Sequence, residues 1–183
     1  MSQKRIKAEE PPSQTIKVQE SASLDEGDTQ INVESLLIPH RLMMRLLSTQ
    51  LLELRLCDCR LLAPECRALA CSPSIVNLRM LDLSCNPVRL PGFLALIESE
   101  TSHLKNLESL DLYMCSISHS QLKLLPPTCL RQKCIVFDRL AYLNLSFNKL
   151  GPLLTELILN PIFGLAREGL KELYLSECQI GDV

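Results

Sequence analysis

The frame Leu-x-x-Leu-x-Leu-x-x-[Cys/Asn]-x-apolar returns five times, and nothing else in the chain constrains its fold as strongly. It is carried by Leu51, Leu54, Leu56, Cys59 and Leu61, then by Leu78, Leu81, Leu83, Asn86 and Val88. It returns at Leu107, Leu110, Leu112, Cys115 and Ile117, at Leu140, Leu143, Leu145, Asn148 and Leu150, and at Leu170, Leu173, Leu175, Cys178 and Ile180. The Cys/Asn positions lie 27, 29, 33 and 30 residues apart. Self-similarity at this period marks stacked units. One unit alone cannot bury its apolar side, so neighbours share a continuous core.

Within a unit, residues two apart share a side of a strand. Leu54 and Leu56 therefore point into the core, while Arg55 and Cys57 point away from it. Asp58 joins them where the chain begins to turn. At the turn itself, a buried Asn can bond to backbone N–H and C=O groups that would otherwise stay unpaired. Cys is small, tolerates burial and donates weakly. A helix should follow, with apolar contacts seven and ten residues after the Cys/Asn site: Cys66 and Leu69, Phe93 and Leu96, Leu122 and Leu125.

The turn site alternates through Cys59, Asn86, Cys115, Asn148 and Cys178. Cys59-Arg60-Leu61-Leu62-Ala63-Pro64-Glu65-Cys66-Arg67-Ala68-Leu69 resembles the Cys-type unit of ribonuclease-inhibitor-like leucine-rich repeat proteins, in which Cys-type and Asn-type units of 28 and 29 residues alternate. The resemblance covers roughly residues 36–183. It implies an α/β leucine-rich repeat solenoid: a curved array with parallel β-strands on the concave face and helices on the convex face. The class spans inhibitors, sensor domains, activators of a nuclear-transport GTPase and cytoskeletal proteins, so it does not select one activity.

Residues 1–35 are rich in charge, Ser, Thr and Pro, and too poor in apolar groups to offset the entropy of ordering them. They are expected to form a disordered tail. Residues 36–50 have apolar groups at spacings of three and four, which predicts a cap helix over the first strand's open side. The leucine-rich repeat domain is then 36–183, with about four and a half repeats. The third interval is long, and its extra residues fall in Pro126–Arg139, where Pro126-Pro127 should stop a helix. The fourth unit predicts a short helix over 153–159. The sequence stops at Val183, before a helix for its fifth unit, so the last repeat is expected to be the least stable.

Composition narrows the chemistry. A net charge of -2 over 183 residues does not suit nucleic-acid binding, which calls for a basic field. No apolar run reaches the eighteen residues of a membrane span. The N-terminus lacks the apolar stretch of a secretory signal. A reducing compartment, cytosol or nucleus, is expected, with the nine cysteines as free thiols. Cys57-x-Cys59 and Cys129-x4-Cys134 have metal-like spacing, yet neither has a second tight pair or an adjacent histidine. His40, His103 and His119 fall in separate units, away from any nucleophile motif, and no phosphate-binding glycine loop occurs. No enzyme activity, cofactor or metal is therefore expected.

What the repeats do build is a surface. Its columns are Arg55, Asp82, Asp111, Asn144 and Tyr174; Cys57, Ser84, Tyr113, Ser146 and Ser176; and Asp58, Cys85, Met114, Phe147 and Glu177, with Tyr142 at the lateral edge. Aromatics can supply interface energy and carboxylates can select a basic partner. The expected function is a non-catalytic scaffold binding a protein partner through the concave face. The candidate contacts are Arg55, Asp58, Asp82, Asp111, Tyr113, Met114, Asn144, Phe147, Tyr174 and Glu177. The alternative is a regulator, activator or inhibitor, of an enzyme or small GTPase.

Overall fold

Strands form where the leucine frame alternates. In a computed structural model of the chain, the described residues are 30–34, 50–97, 102–124, 138–154 and 169–180. They contain β1 (Gln30–Glu34), β2 (Glu53–Cys57), β3 (Met80–Asp82), β4 (Ser109–Asp111), β5 (Tyr142–Asn144) and β6 (Glu172–Tyr174). All pair in parallel and in chain order, β1-β2-β3-β4-β5-β6. Between them lie helix α1 (Ala63–Ala70), a 3-10 turn (Pro73–Ile75), helix α2 (Arg89–Ile97) and a 3-10 helix (His119–Leu124). The result is an α/β repeat arrangement of alternating parallel strands and short helices.

Register places each frame leucine beside its counterparts. Leu54, Leu81, Leu110 and Leu143 are aligned across adjacent strands, and all four are fully buried. Leu56, Leu83, Leu112 and Leu145 form a second buried row. Each such side chain contributes roughly 1.5–3 kcal/mol by leaving water. Rows of leucine thus bind one unit to the next more than the three-residue ladders do.

The helices close the leucine side of the sheet. Cys66 and Leu69 of α1 and Phe93 and Leu96 of α2 are all buried, as the spacing predicts. Pro64 sits in the first turn of α1, where its missing N–H costs nothing. The Glu65 carboxylate accepts from Leu62 N–H at 3.0 Å. Helix α2 is capped by the following unit: Leu90 N–H donates to Gln121 Oε1 at 2.7 Å. A Cβ built on Gly92 would lie 2.8 Å from Val88 Cγ1 and 3.3 Å from Ala63 Cα, so glycine permits α1 and α2 to approach.

The tail boundary requires correction. Gln30–Glu34 falls inside the expected disordered segment 1–35, yet it forms a five-residue strand paired with β2. Ile31 is 1% exposed and belongs to the core. The physical reason is edge satisfaction: β2 offers backbone donors and acceptors on that side, and Ile31 supplies a core side chain without the leucine frame. The cap helix over 36–50 apart from Gln50, the insertion over 126–139 apart from Asp138 and Arg139, and most of the helix over 153–159 lie outside the described residues, as do the side chains of Leu122 and Leu125. A helical turn does begin over 152–154.

Candidate sheet-face site

The turns at Cys59, Asn86, Cys115 and Asn148 are each closed by the unit after them. Asn86 Oδ1 accepts from Cys59 N–H at 2.8 Å and Leu61 N–H at 3.0 Å. Its Nδ2 donates to the carbonyls of Leu56, Leu83 and Ser84. Asn148 repeats the pattern on Ile117 N–H and on the carbonyls of Leu112, Leu145 and Ser146. In the Cys-type units the thiol takes over the backward contact. Cys115 Sγ donates to Leu83 C=O and Cys178 Sγ to Leu145 C=O, each at 3.1 Å. Burial pushes the thiols of Cys115 and Cys178 up, so both keep the proton they donate.

The alternation also separates two backbone geometries. The residue before every Cys/Asn site is left-handed: Asp58, Cys85, Met114, Phe147 and Glu177 have φ between 51 and 59°. Cys-type units add a second left-handed residue directly after the cysteine, at Arg60, Ser116 and Gln179. Asn-type units place it three residues after the asparagine instead, at Arg89 (φ 57°) and Gly151 (φ 44°). Pro87 follows Asn86, and its ring excludes positive φ there. Arg89 N–H and Gly151 N–H then donate to the carbonyls of Cys115 and Cys178 in the next unit.

These ladders hold the strand side chains opposite the helices in fixed columns. Asp82, Asp111 and Asn144 each spend one side-chain oxygen on a local turn, accepting from Ser84, Tyr113 and Ser146 N–H at 2.9–3.0 Å. Their first role is therefore structural. Arg55, at the same position in the first unit, pairs with Glu53 at 3.3 Å. Tyr174, at that position in β6, donates its hydroxyl to Glu172 at 3.0 Å.

The aromatic groups collect on the later strands. Tyr113 and Phe147 have ring centroids 5.1 Å apart, and Tyr142 and Tyr174 5.4 Å apart, both tilted. The chain has three tyrosines, and all three lie here. Phe147, Met114 and Tyr174 are 47%, 48% and 45% exposed, whereas the frame leucines of β2–β5 are fully buried. Asp111 lies among them: its Oδ2 accepts from Asn144 Nδ2 at 3.1 Å and Tyr142 Oη at 3.4 Å. Desolvation pushes the Asp111 carboxyl up, and the hydrogen bonds from Tyr113 N–H and Asn144 oppose that. The Tyr142 hydroxyl is pushed up by desolvation and by the Asp111 charge.

Of the candidate contacts, Asp111, Asn144 and Tyr174 on β4–β6 are brought together with Tyr113, Met114 and Phe147 in the turns that follow β4 and β5. Arg55, Asp58 and Asp82 stand at the earlier strands, beside Cys57 and Cys85. Burial and the nearby Cys57 push the Cys85 thiol up. Glu177 occupies the β6 turn. Tyr142, placed at the lateral edge by the sequence, belongs to a full fourth column: Glu53, Met80, Ser109, Tyr142 and Glu172, aligned by strand register. Carrying the alternation one step back from Leu54, Leu81, Leu110, Leu143 and Leu173 identifies it.

Among the described residues, no group of three or more His, Cys, Asp or Glu could hold a metal ion. No described helix is long and apolar enough to cross a membrane. The Leucine Rich repeat family profile matches residues 170–183, which span the fifth frame. A short leucine-rich-repeat motif is therefore present. None of the curated proteins matches the chain.

Proposed function

We propose that this chain is a non-catalytic protein-interaction module of the ribonuclease-inhibitor-like leucine-rich repeat type. In this reading the array is a curved solenoid, and its strand face is the concave docking surface. One observation carries it: two aromatic pairs, with Phe147 and Tyr174 exposed and Tyr113 and Tyr142 half-buried, stand beside exposed Met114 on a face whose backbone is held by inter-unit hydrogen bonds. Rigid, desolvatable aromatics lose little entropy when a partner covers them, which is why such groups dominate interface energetics. The turn ladder supports the reading, since it fixes the columns before any partner arrives.

The test is quantitative affinity capture with the full chain and with Tyr113→Ala/Phe147→Ala. Partner recovery should fall at least about ten-fold, which corresponds to 1.4 kcal/mol. Circular dichroism of the double variant should match the parent. Unchanged recovery with a folded variant would remove the sheet face as the docking surface.

A further inference from the structure

The strand face has a strong charge bias. Glu53, Asp58, Asp82, Asp111, Glu172 and Glu177 project from its columns, and the one cation among the described column residues is Arg55. That cation is already engaged by Glu53. On the later strands the carboxylates and aromatic rings are interleaved. Tyr142 directs its hydroxyl to Asp111, and Tyr174 directs its own to Glu172. Each ring therefore has a carboxylate at its edge, while Tyr174 leaves much of its surface to solvent.

We infer that the Tyr142–Tyr174 pair, with Asp111 and Glu172, receives an arginine side chain from a basic segment of a partner protein. The inference rests on the docking surface proposed above and names what that surface selects. A guanidinium is planar, weakly hydrated and permanently charged. It stacks on an aromatic ring while its edge N–H groups reach carboxylate oxygens in the same plane. Lysine carries the same charge as a compact, strongly hydrated ammonium and cannot combine both contacts. An acidic partner would meet like charge from the six column carboxylates. Charge complementarity thus decides the partner's sign, and the ring–carboxylate pairing decides arginine over lysine.

The experiment is an NMR titration of the full chain with three capped dodecapeptides that alternate glycine with arginine, lysine or glutamate. The arginine peptide should move the backbone amides of Tyr142, Asn144, Glu172 and Tyr174, with a Kd below about 1 mM. The lysine peptide should bind at least about five-fold more weakly, and the glutamate peptide should leave these amides unmoved. Tyr174→Leu should reduce arginine binding to the lysine level. Glu172→Gln, a change at an exposed side chain, should weaken it about three-fold or more without affecting folding. Equal binding of the arginine and lysine peptides, shifts confined to the helix side, or no binding would each overturn the inference. If the arginine peptide fails while Tyr113→Ala/Phe147→Ala still abolishes capture, the arginine selectivity falls and the docking surface stands. If both fail, the two fall together.

Discussion

The Asn86 side chain completes a turn that belongs to another unit: its Oδ1 accepts the Cys59 N–H at 2.8 Å across 27 residues of chain. Sequence periodicity and cooperative stability have the same origin here. A unit whose turn is closed by its successor cannot be fully satisfied alone. The buried amide serves five backbone groups, two as acceptor and three as donor. Asn86→Ala should therefore destabilise the chain by at least about 3 kcal/mol, because it strands several desolvated backbone groups at once. Asn148→Ala should behave alike. Urea denaturation would check both, and a loss under about 1 kcal/mol would show that water replaces the amide.

Thiol burial sets a pH dependence. Burial, with the Glu65 charge second, pushes the Cys66 thiol from an ordinary 9.0 up to about 12. The folded form therefore keeps its proton after the unfolded chain has begun to lose it. Above pH 9 the unfolded state binds fewer protons, so stability falls as pH rises. The contribution is fully present below pH 9 and lost between about 9 and 12, by up to about 1.4 kcal/mol per pH unit. Urea midpoints at pH 8, 9.5 and 10.5 would trace the decline. Cys66→Ala should be less stable at pH 8 but show a shallower slope; an unchanged slope would assign the alkaline loss to other groups.

The two left-handed positions three residues after asparagine form a natural comparison. Gly151 adopts φ 44° at no steric cost, whereas Arg89 holds φ 57° with a Cβ. A Cβ on Gly151 would also lie 3.1 Å from His119 Nδ1, whose ring accompanies the Lys149 carbonyl at 3.2 Å. Gly151→Ala should cost about 1–2 kcal/mol. Arg89→Gly should cost less than about 0.5 kcal/mol or stabilise slightly, since relief of strain offsets the added freedom of the unfolded chain. Thermal melts of the two variants decide it: equal shifts would mean that backbone handedness is not the controlling term at these sites.

How far the sequence was legible depends on whether a property was local. Leucine rows, turn cysteines and asparagines, and the helix contacts Cys66, Leu69, Phe93 and Leu96 follow from spacing, because each unit repeats the same burial problem. β1 was hidden because Gln30–Glu34 lacks the leucine frame and is ordered by pairing with β2. In the column through Tyr142 and Glu172 the sequence singles out Tyr142 alone, because Glu53, Met80, Ser109 and Glu172 share no residue type, and strand register shows their alignment directly. The second left-handed position depends on bonds to the following unit, so one unit read alone does not disclose it. At Asp82, Asp111 and Asn144 the residue type suits both surface recognition and turn formation, and the hydrogen bonds reveal the second use.

Equivalent leucines should differ in cost according to what flanks them. Leu143 lies between β4 and β6 and is fully buried, whereas Leu173 on β6 is 36% exposed. Both occupy the same frame position, so propensity and volume cancel in the comparison. Leu143→Ala removes the branched end of the side chain from a closed site and should cost about 2–5 kcal/mol. Leu173→Ala should cost less than about 1.5 kcal/mol, since its atoms already meet water and the site can collapse. Hydrogen exchange should give the same order, with amides of Glu172–Tyr174 exchanging before those of Tyr142–Asn144. Equal costs for the two variants, together with equal protection of the two strands, would mean that the β6 row is covered in solution by something beyond the strands described, and that its exposed leucine belongs to an occupied interface.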